Sequence, residues 1–211
     1  MNSDIISRLQ WRYATKKFDA SKTLPEDKLN ILKESFNLTA TSYGLQPLKM
    51  VVISDQQLKE KLVPASMDQL QVRDASHVLV LCIEGGITSQ YVKEHFKRVE
   101  DIRNTPREIL KDYEDFLIEN FGEKKPEDVR LWMAKQAYIA LGNLLTVCAL
   151  EGIDACPMEG FEPSRYDEIL ELDKLGLQSV LVLPVGYRAE DDMFSSMKKV
   201  RRGTEEVIIE M

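Results

Sequence analysis

The stretch "AYIALGNLLTVCALEGI", from Ala137 to Ile153, decides the fold. It continues a helical pattern that begins near Pro126, and it is apolar on nearly every side. A helix of this kind is buried over most of its surface. The run is too short for a typical membrane span, and Asn143 and Glu151 interrupt it. We therefore predict a long buried helix at the centre of the protein, from about Pro126 to Glu151.

Short strands and further helices surround this segment. The clearest strand is "HVLVLCIEG" (His77–Gly85), with shorter apolar runs in "KMVVIS", "DACPM" and "QSVLVLPVGY". Helical periodicity marks "TLPEDKLNILKESF" and "PSRYDEILEL", and Ser3 is the predicted cap of a first helix. Two charged helical stretches between about residues 87 and 125, broken near Thr105–Pro106, predict a peripheral lid or insertion. Residues 1–211 are predicted to form one domain of the α+β class, a three-layer α/β/α sandwich.

The composition limits the possible classes of function. The chain has 211 residues and a formal net charge of −7, which disfavours binding to nucleic acids and to anionic membranes. Its hydrophobic content of 44% is that of a folded protein. No signal peptide is visible at the N-terminus, and the three cysteines, Cys82, Cys148 and Cys156, cannot all pair with one another. The expectation is a reduced, cytoplasmic protein.

Several catalytic motifs are missing from the sequence. Neither His77, at the start of a strand, nor His95, in a charged helix, has the neighbours of a metal site, so no metal is predicted. The nucleophile elbow G-x-S-x-G, the dinucleotide fingerprint G-x-G-x-x-G and the P-loop are also missing. If a nucleotide binds, a glycine-rich phosphate loop does not hold it.

Two compact basic clusters stand near opposite ends of this acidic chain, "RYATKKFD" (Arg12–Asp19) and "KKVRR" (Lys198–Arg202). Arginine binds phosphate bidentately and lysine adds a point charge, so one anion held by both clusters would account for them. Solvated basic surfaces are the alternative. Two further patches favour a ligand. In "PMEGF", Gly160 allows close backbone approach, and in "TATSYGLQP" the hydroxyls and Gln46 can donate hydrogen bonds.

In their order and spacing, these stretches resemble the FMN-dependent nitroreductase family. The resemblance is greatest to its branch of oxygen-insensitive NAD(P)H nitroreductases and bacterial dihydropteridine reductases. It covers nearly the whole chain and rests on "DIISRLQWRYATKKFDASK", Gln46–Pro47, "DASHVLVLC", "WMAKQAYIALGNLL", "GIDACPMEGF", "LVLPVGYR" and "KKVRR". It implies a mostly antiparallel central sheet. It also implies a C-terminal strand, Val207–Ile209, that joins the sheet of a partner subunit.

The resemblance implies where FMN binds. Arg12, Lys16, Lys199 and Arg201 would meet its phosphate and ribityl chain, whereas Lys17 would be solvated. Further cofactor contacts are implied for Tyr13, Ala14, Gln46, Gln69, Gln71, Pro157, Met158, Glu159 and Gly160, and for the partner subunit's Thr41 and Ser42. The register of the two glutamine contacts stays open by one residue. Plain core packing is the alternative role for the side chains of Met158 and Phe161.

The resemblance also implies the reaction. NADH or NADPH passes a hydride to flavin N5 and leaves, and a flat acceptor such as a nitroaromatic, a quinone or a pterin is then reduced in a ping-pong cycle. No catalytic side chain is implied. Tyr43, Tyr113 and Phe116 are candidates for the rim of the substrate pocket, with surface packing as the alternative. A homodimer with FMN at the subunit interface is implied.

Two other functions stay open at this point. One is a flavoenzyme of the same fold with other chemistry, such as reductive dehalogenation. The other is a non-catalytic protein that binds FMN or phosphate.

Overall fold

The computed structural model describes residues 4–211, and an antiparallel sheet lies at the centre of this part of the chain. The strands are β1 (Leu48–Ile53), β2 (His77–Glu84), β3 (Asp154–Ala155) and β4 (Leu177–Gly186). Their spatial order is β1-β2-β4-β3, so β2 and β4 are central and the other two form the edges. Each neighbouring pair is antiparallel, which confirms the predicted sheet.

The helices of the described residues include the long one predicted from the apolar stretch. They are α1 (Asp4–Trp11), α2 (Glu26–Asn37), α3 (Gln56–Leu62), α4 (Gln71–Asp74), α5 (Ser89–Arg103), α6 (Arg107–Gly122), α7 (Pro126–Glu151), α8 (Pro163–Ile169) and α9 (Thr204–Val207). Helix α7 begins at Pro126, where a missing N–H costs nothing. It ends where Gly152, with φ of 66°, reverses the chain, and the N–H of Ile153 donates to the Cys148 carbonyl at 2.8 Å. Both ends confirm the prediction.

Helices cover both faces of the sheet. Successive side chains of a strand point to opposite faces, and β2 shows this alternation. Leu79 and Leu81 belong to a core that contains residues of α2 and α7, whereas Val78 and Val80 belong to a second core with residues of α3, α4 and α8. This arrangement confirms the three-layer α/β/α sandwich of the α+β class.

One face of α7 departs from the prediction that this helix is buried on most sides. Leu131, Tyr138, Ile139 and Leu150 are exposed in the single chain. The sheet, α1 and α2 pack against other parts of α7. Of the described helices, α7 alone is long and apolar enough to span a membrane by length and composition, and it packs as a core helix.

Helices α5 and α6, the two charged helical stretches predicted between residues 87 and 125, pack together as a hairpin. The chain reverses at Asn104, with φ of 52°, just before Pro106. Phe96 and Phe121 are buried in the same core as β2 and α7. The hairpin is therefore built into the core on one side, and a purely peripheral lid is not what the structure shows.

A buried ion pair holds the first turns of α6. Glu114 is 1% exposed, and its carboxylate accepts a hydrogen bond from the guanidinium of Arg107. Removing one partner of such a pair leaves an uncompensated buried charge. Because Arg107 is partly solvated, we expect Arg107→Ala to lower the free energy of unfolding by about 2–3 kcal/mol in urea titrations. The matched control is Lys111→Ala, whose partner Asp115 is exposed, with an expected cost of about 0–1 kcal/mol. Equal losses in the two variants would contradict this assignment.

The predicted C-terminal strand at Val207–Ile209 is not observed in the single chain. Val207, predicted to begin a strand, instead ends α9, because the Ile208 N–H donates to the Thr204 carbonyl at 2.9 Å and closes a helical turn. Residues 208–211 are neither helix nor strand in the single chain. Pairing of this tail with a partner stays a prediction. The predicted cap at Ser3 lies outside the described residues.

Candidate functional site

The segment after α1 runs along the β3 edge of the sheet. Ala14 forms a parallel bridge with Ala155 of β3, and the N–H of Thr15 donates to the Ala155 carbonyl at 3.2 Å. Thr15 is fully buried, and Phe18 packs in the core as the sequence predicts. The Arg12–Lys17 loop is therefore fixed to the same edge from which the Pro157–Gly160 segment leaves β3.

Asp192 ties this loop to the chain after β4. Its Oδ2 accepts hydrogen bonds from the Tyr13 hydroxyl at 2.7 Å and from the backbone N–H groups of Lys16 at 2.9 Å and Lys17 at 3.1 Å. Its Oδ1 accepts from the Phe194 N–H at 3.1 Å. Burial alone would raise the pKa of Asp192, but these hydrogen bonds outweigh it and the net pKa is lowered. The sequence analysis missed this residue.

Arg12, Lys199 and Arg201 come together, as the two basic clusters predict. The ammonium of Lys199 donates to the Arg12 carbonyl. Burial lowers the pKa of Arg12, and the charge of Arg201 lowers it further. The pKa of Lys199 is also lowered, first by burial and then by the charges of Arg12, Arg201 and Arg188. Such mutual repulsion marks a place where an anion is favoured.

No carboxylate compensates this cluster among residues 4–211. Neither Arg12, Lys16, Lys199 nor Arg201 forms an ion pair there, whereas Lys17 pairs with Asp191. Lys16 was predicted to contact the phosphate and Lys17 was not, and in the structure Lys17 is the one whose charge already has a partner. An anion such as a phosphate would complete the group.

The Pro157–Gly160 turn is packed tightly against Gln69. The Gln69 amide donates to the Gly160 carbonyl at 2.9 Å and to the Ser66 carbonyl at 3.1 Å. A Cβ added to Gly160 would lie 3.1 Å from the Gln69 Nε2 atom. Met158 is buried in the core and both of its backbone groups pair with Val182, so the alternative of core packing describes its side chain. Phe161, also buried, packs edge-on against Tyr166.

Gln71 and Glu159 are two further residues predicted to contact the cofactor. Gln71 is 8% exposed, yet its side-chain amide forms no hydrogen bond within the described part of the chain. The amide atoms are not among the fully buried unpaired groups, so they reach the surface and can meet a ligand edge with donors and acceptors. Glu159 is exposed on the turn, and its carboxylate accepts from the Tyr138 hydroxyl of α7.

The Thr41–Gln46 loop lies at the other edge of the sheet, directly before β1. Its backbone is strained, because Tyr43 and Gln46 have positive φ of 59° and 48°. The loop is held from inside the chain: the Ser42 N–H donates to the Gln136 side chain at 2.9 Å, and the Gln46 N–H donates to Thr41 Oγ1 at 3.1 Å. Side-chain Nε2 of Gln46 also donates to a backbone carbonyl, that of Asn37, at 2.7 Å.

The single chain thus separates two groups of predicted contacts. Three strand spacings of about 4.8 Å lie between the β1 edge and the β3 edge. Arg12, Ala14 and Gly160 belong to the β3 edge, whereas Thr41 and Ser42 belong to the β1 edge. A contribution of the second group from a partner subunit, as predicted, is compatible with this separation.

The candidate rim residues also form two groups. Tyr43 packs against Phe121 and Trp132, each with ring centroids 6.0 Å apart. Tyr113 and Phe116 stack on the outer side of α6, with centroids 6.2 Å apart, and both are about half exposed. No ring contact joins Tyr43 to this pair within residues 4–211. The same residues contain no cluster of three or more metal-ligating side chains.

The structure thus combines an α+β sandwich with a group of cations, at one sheet edge, that no described carboxylate compensates. Residues 9–187 match the family described as the Nitroreductase family. A "Putative NAD(P)H nitroreductase" of Staphylococcus haemolyticus is 34% identical over 216 residues, which cover 99% of this chain and 97% of the relative. The chain therefore belongs to the Nitroreductase family, a family of oxidoreductases.

Solved structures agree on the fold. A nitroreductase-like protein of Streptococcus mutans has a TM-score of 0.83 at 21% identity, and the match covers 100% of both chains. A "putative nitroreductase in complex with FMN" of Exiguobacterium sibiricum has a TM-score of 0.84 at 17% identity, covering 100% of this chain and 99% of that one. Because the sequence identities are low, these two structural matches establish the nitroreductase-like fold and nothing more.

Proposed function

We propose that this protein is an FMN-dependent NAD(P)H oxidoreductase whose FMN phosphate is held by Arg12, Lys16, Lys199 and Arg201. One observation carries the proposal: Arg12, Lys199 and Arg201 gather at one sheet edge and no described carboxylate compensates them. A partly buried phosphate dianion needs this kind of positive surrounding. The name of the staphylococcal relative supports NAD(P)H, and the FMN complex from Exiguobacterium supports the flavin.

Two further observations fit a flat ring system beside this phosphate site. Gly160 lets the Pro157–Gly160 turn pack directly against Gln69, because a side chain there would press on the Gln69 amide, and this fixes the turn that would face the ring. The amide of Gln71, which has no hydrogen bond among the described residues, offers both a donor and an acceptor to a pyrimidine edge. The backbone of Glu159 and Gly160 is the remaining predicted contact of the ring.

The chemistry would come from the cofactor. When bound, FMN supplies hydride transfer between NAD(P)H and flat acceptors such as nitroaromatics, quinones or pterins. The chain binds and orients it. The cysteines are not candidates for a nucleophile, because burial raises the pKa of Cys82 and of Cys148 to about 12 and keeps both as thiols. Free, buried cysteines also support a cytoplasmic location.

A homodimer is the proposed assembly. Apolar side chains are exposed on two helices, Ile5 and Leu9 on α1 and Tyr138 and Ile139 on α7, and a second copy would cover them. The separation of the Thr41–Ser42 segment from the β3 edge supports a cofactor site shared by two subunits.

The dimer also makes a prediction for the C-terminal tail. Val207, Ile208 and Ile209 are all more than half exposed in the single chain. Deleting residues 204–211 should therefore weaken the dimer, because their apolar area would no longer be buried against the partner. Sedimentation equilibrium of the truncated and full chains measures this. A truncated protein that stays as dimeric and as yellow as the full chain would contradict the proposed role of the tail.

The overall function can be tested on purified protein. We expect the apoprotein to bind FMN and turn yellow, NADH or NADPH to bleach it anaerobically, and a nitroaromatic or quinone to restore the colour over many turnovers. A protein that cannot be loaded with FMN would rule the proposal out. FMN binding without NAD(P)H oxidation would favour a non-catalytic flavin-binding protein. Bleaching without turnover of any nitroaromatic, quinone or pterin would favour other flavin chemistry.

A further inference from the structure

Arg188, two residues after β4, contacts two aromatic rings. Its Cζ atom lies 4.3 Å from the centroid of the Trp11 ring and 4.5 Å from that of the Tyr13 ring. Both distances are well within the range of about 6 Å over which a cation attracts a ring face. Trp11 is the last residue of α1. The guanidinium therefore contacts the residues on both sides of Arg12.

Asp154 fixes this guanidinium in place. The carboxylate is buried, and its Oδ1 accepts a hydrogen bond from Arg188 Nε at 2.7 Å. Its Oδ2 accepts from the Arg188 backbone N–H at 2.8 Å, and Nη2 lies 2.6 Å from Oδ1 without hydrogen-bond geometry. Asp154 pairs with Gly186 across the sheet edge. Arg188 is thus anchored to β3 and β4.

The charge of Arg188 is already compensated, which separates it from the cations of the proposed phosphate site. Arg12, Lys199 and Arg201 have no carboxylate partner among the described residues, whereas Arg188 has Asp154. Arg188 lies near the site all the same, because its charge is one of the causes that lower the pKa of Lys199.

The two rings flank the backbone at Arg12. Peptide units are planar, so the conformation of a residue is given by its two dihedral angles between the neighbouring units. Arg188 holds Trp11 before Arg12 and Tyr13 after it. The direction of the Arg12 side chain depends on these dihedral angles. So does that of the Arg12 carbonyl, which accepts a hydrogen bond from Lys199.

We propose that Arg188 is a positioning residue for the phosphate site. By holding the rings of Trp11 and Tyr13 it sets the direction of the Arg12 guanidinium and of the Lys199 contact, and it does not touch the ligand itself. The proposal rests on the proposed FMN function and deepens it. A lysine in place of Arg188 keeps the charge but has neither the planar face nor the fork that meet the rings and Asp154.

The experiment is a titration of the apoprotein with FMN and with riboflavin, which lacks the phosphate. In Arg188→Lys we expect the Kd for FMN to rise about tenfold, as the loss of two ring contacts allows, while the Kd for riboflavin stays as in the wild type. The matched control is Arg165→Lys, on an exposed arginine that pairs with Glu162, and its Kd for FMN should not change.

A second pair of variants keeps the test valid if Arg188→Lys does not fold. Tyr13→Leu removes a ring face, whereas Tyr13→Phe keeps it, and both lose the hydroxyl bond to Asp192. FMN affinity should fall further in Tyr13→Leu. An unchanged Kd for FMN in Arg188→Lys, or an equal loss for FMN and riboflavin, would overturn the positioning role. Equal FMN affinity in Tyr13→Leu and Tyr13→Phe would overturn it too. Wild-type protein that binds neither flavin would instead end the proposed function.

Discussion

Replacing Arg201 with alanine should weaken FMN binding about 30-fold and leave the stability of the apoprotein unchanged. A charge-assisted hydrogen bond to phosphate contributes about 2 kcal/mol, which corresponds to that factor. In the apoprotein, Arg201 is exposed, and within residues 4–211 its guanidinium donates only to the neighbouring Val200 carbonyl. It also repels Arg12, whose pKa it lowers. Removing Arg201 therefore takes nothing stabilising from the apoprotein.

Arg12→Ala should weaken FMN binding by a similar factor or more. Arg12 is half-buried, so the ion pair that it would form with a phosphate is less screened by water than that of Arg201. Arg12→Ala also removes one of the charges that lower the pKa of Lys199. The two arginine variants share one expected signature, which is a loss of FMN affinity without an equal loss of apoprotein stability.

The matched control for both variants is Lys17→Ala. Lys17 lies in the same loop, but its ammonium pairs with the exposed carboxylate of Asp191. We expect its FMN affinity to stay within about threefold of the wild type. Fluorescence titration of the three apoproteins with FMN, together with their urea midpoints, measures these differences. Equal FMN affinity in all three would mean that the phosphate site is wrongly assigned.

Local patterns predicted the elements of this fold well, because helices and strands have periods that can be read along the chain. The predicted strand at His77–Gly85 is observed as His77–Glu84, and the predicted ends of α7 are those observed. The exposed side of α7 was not predicted. The apolar pattern of a helix predicts that its apolar face is buried. It does not predict whether the same chain or another molecule buries that face. Tyr138 and Ile139 are exposed in the single chain, and their pattern in the sequence does not tell what covers them.

The site was predicted only in part. The basic residues were visible as two charge clusters, and the structure brings Arg12, Lys199 and Arg201 together. The residues that hold the loop in place were missed, since Asp192 and Arg188 bond to partners more than 30 residues away in the chain. Their one sequence signal is the polar run "RAEDD" that follows β4. That run does not indicate which carboxylate turns inward.

Asp192→Ala should have the largest effect on the protein as a whole. It removes the acceptor of four hydrogen bonds, those from the Tyr13 hydroxyl and from the N–H groups of Lys16, Lys17 and Phe194. Hydrogen bonds to a charged group are the stronger kind, and unpaired N–H groups add their own cost. We expect the free energy of unfolding to fall by about 3 kcal/mol and FMN affinity to fall with it, because the loop that carries Arg12 is released.

Two neighbouring substitutions separate this role from general damage. Tyr13→Phe removes one of the four bonds and should lower the free energy of unfolding by about 1 kcal/mol. Asp191→Ala removes the adjacent carboxylate, which is exposed and, among the described residues, pairs only with Lys17, so stability and FMN affinity should both stay unchanged. Urea unfolding and FMN titration measure all three. If Asp191→Ala is as damaging as Asp192→Ala, the loop is not held by the bonds to Asp192.

The stabilisation that the Asp192 carboxylate gives to the folded protein should depend on pH in a definite direction. The pKa of Asp192 is lowered in the folded protein, since the hydrogen bonds outweigh the effect of burial. A lowered folded pKa means that the stabilisation is fully present above the unfolded pKa of about 4 and is lost as the pH falls through the folded value. The difference in unfolding free energy between wild type and Asp192→Ala should therefore be constant from pH 7 to about pH 5 and shrink below pH 4. A difference that persists undiminished to pH 2.5 would show that packing, and not the charged acceptor, holds the loop.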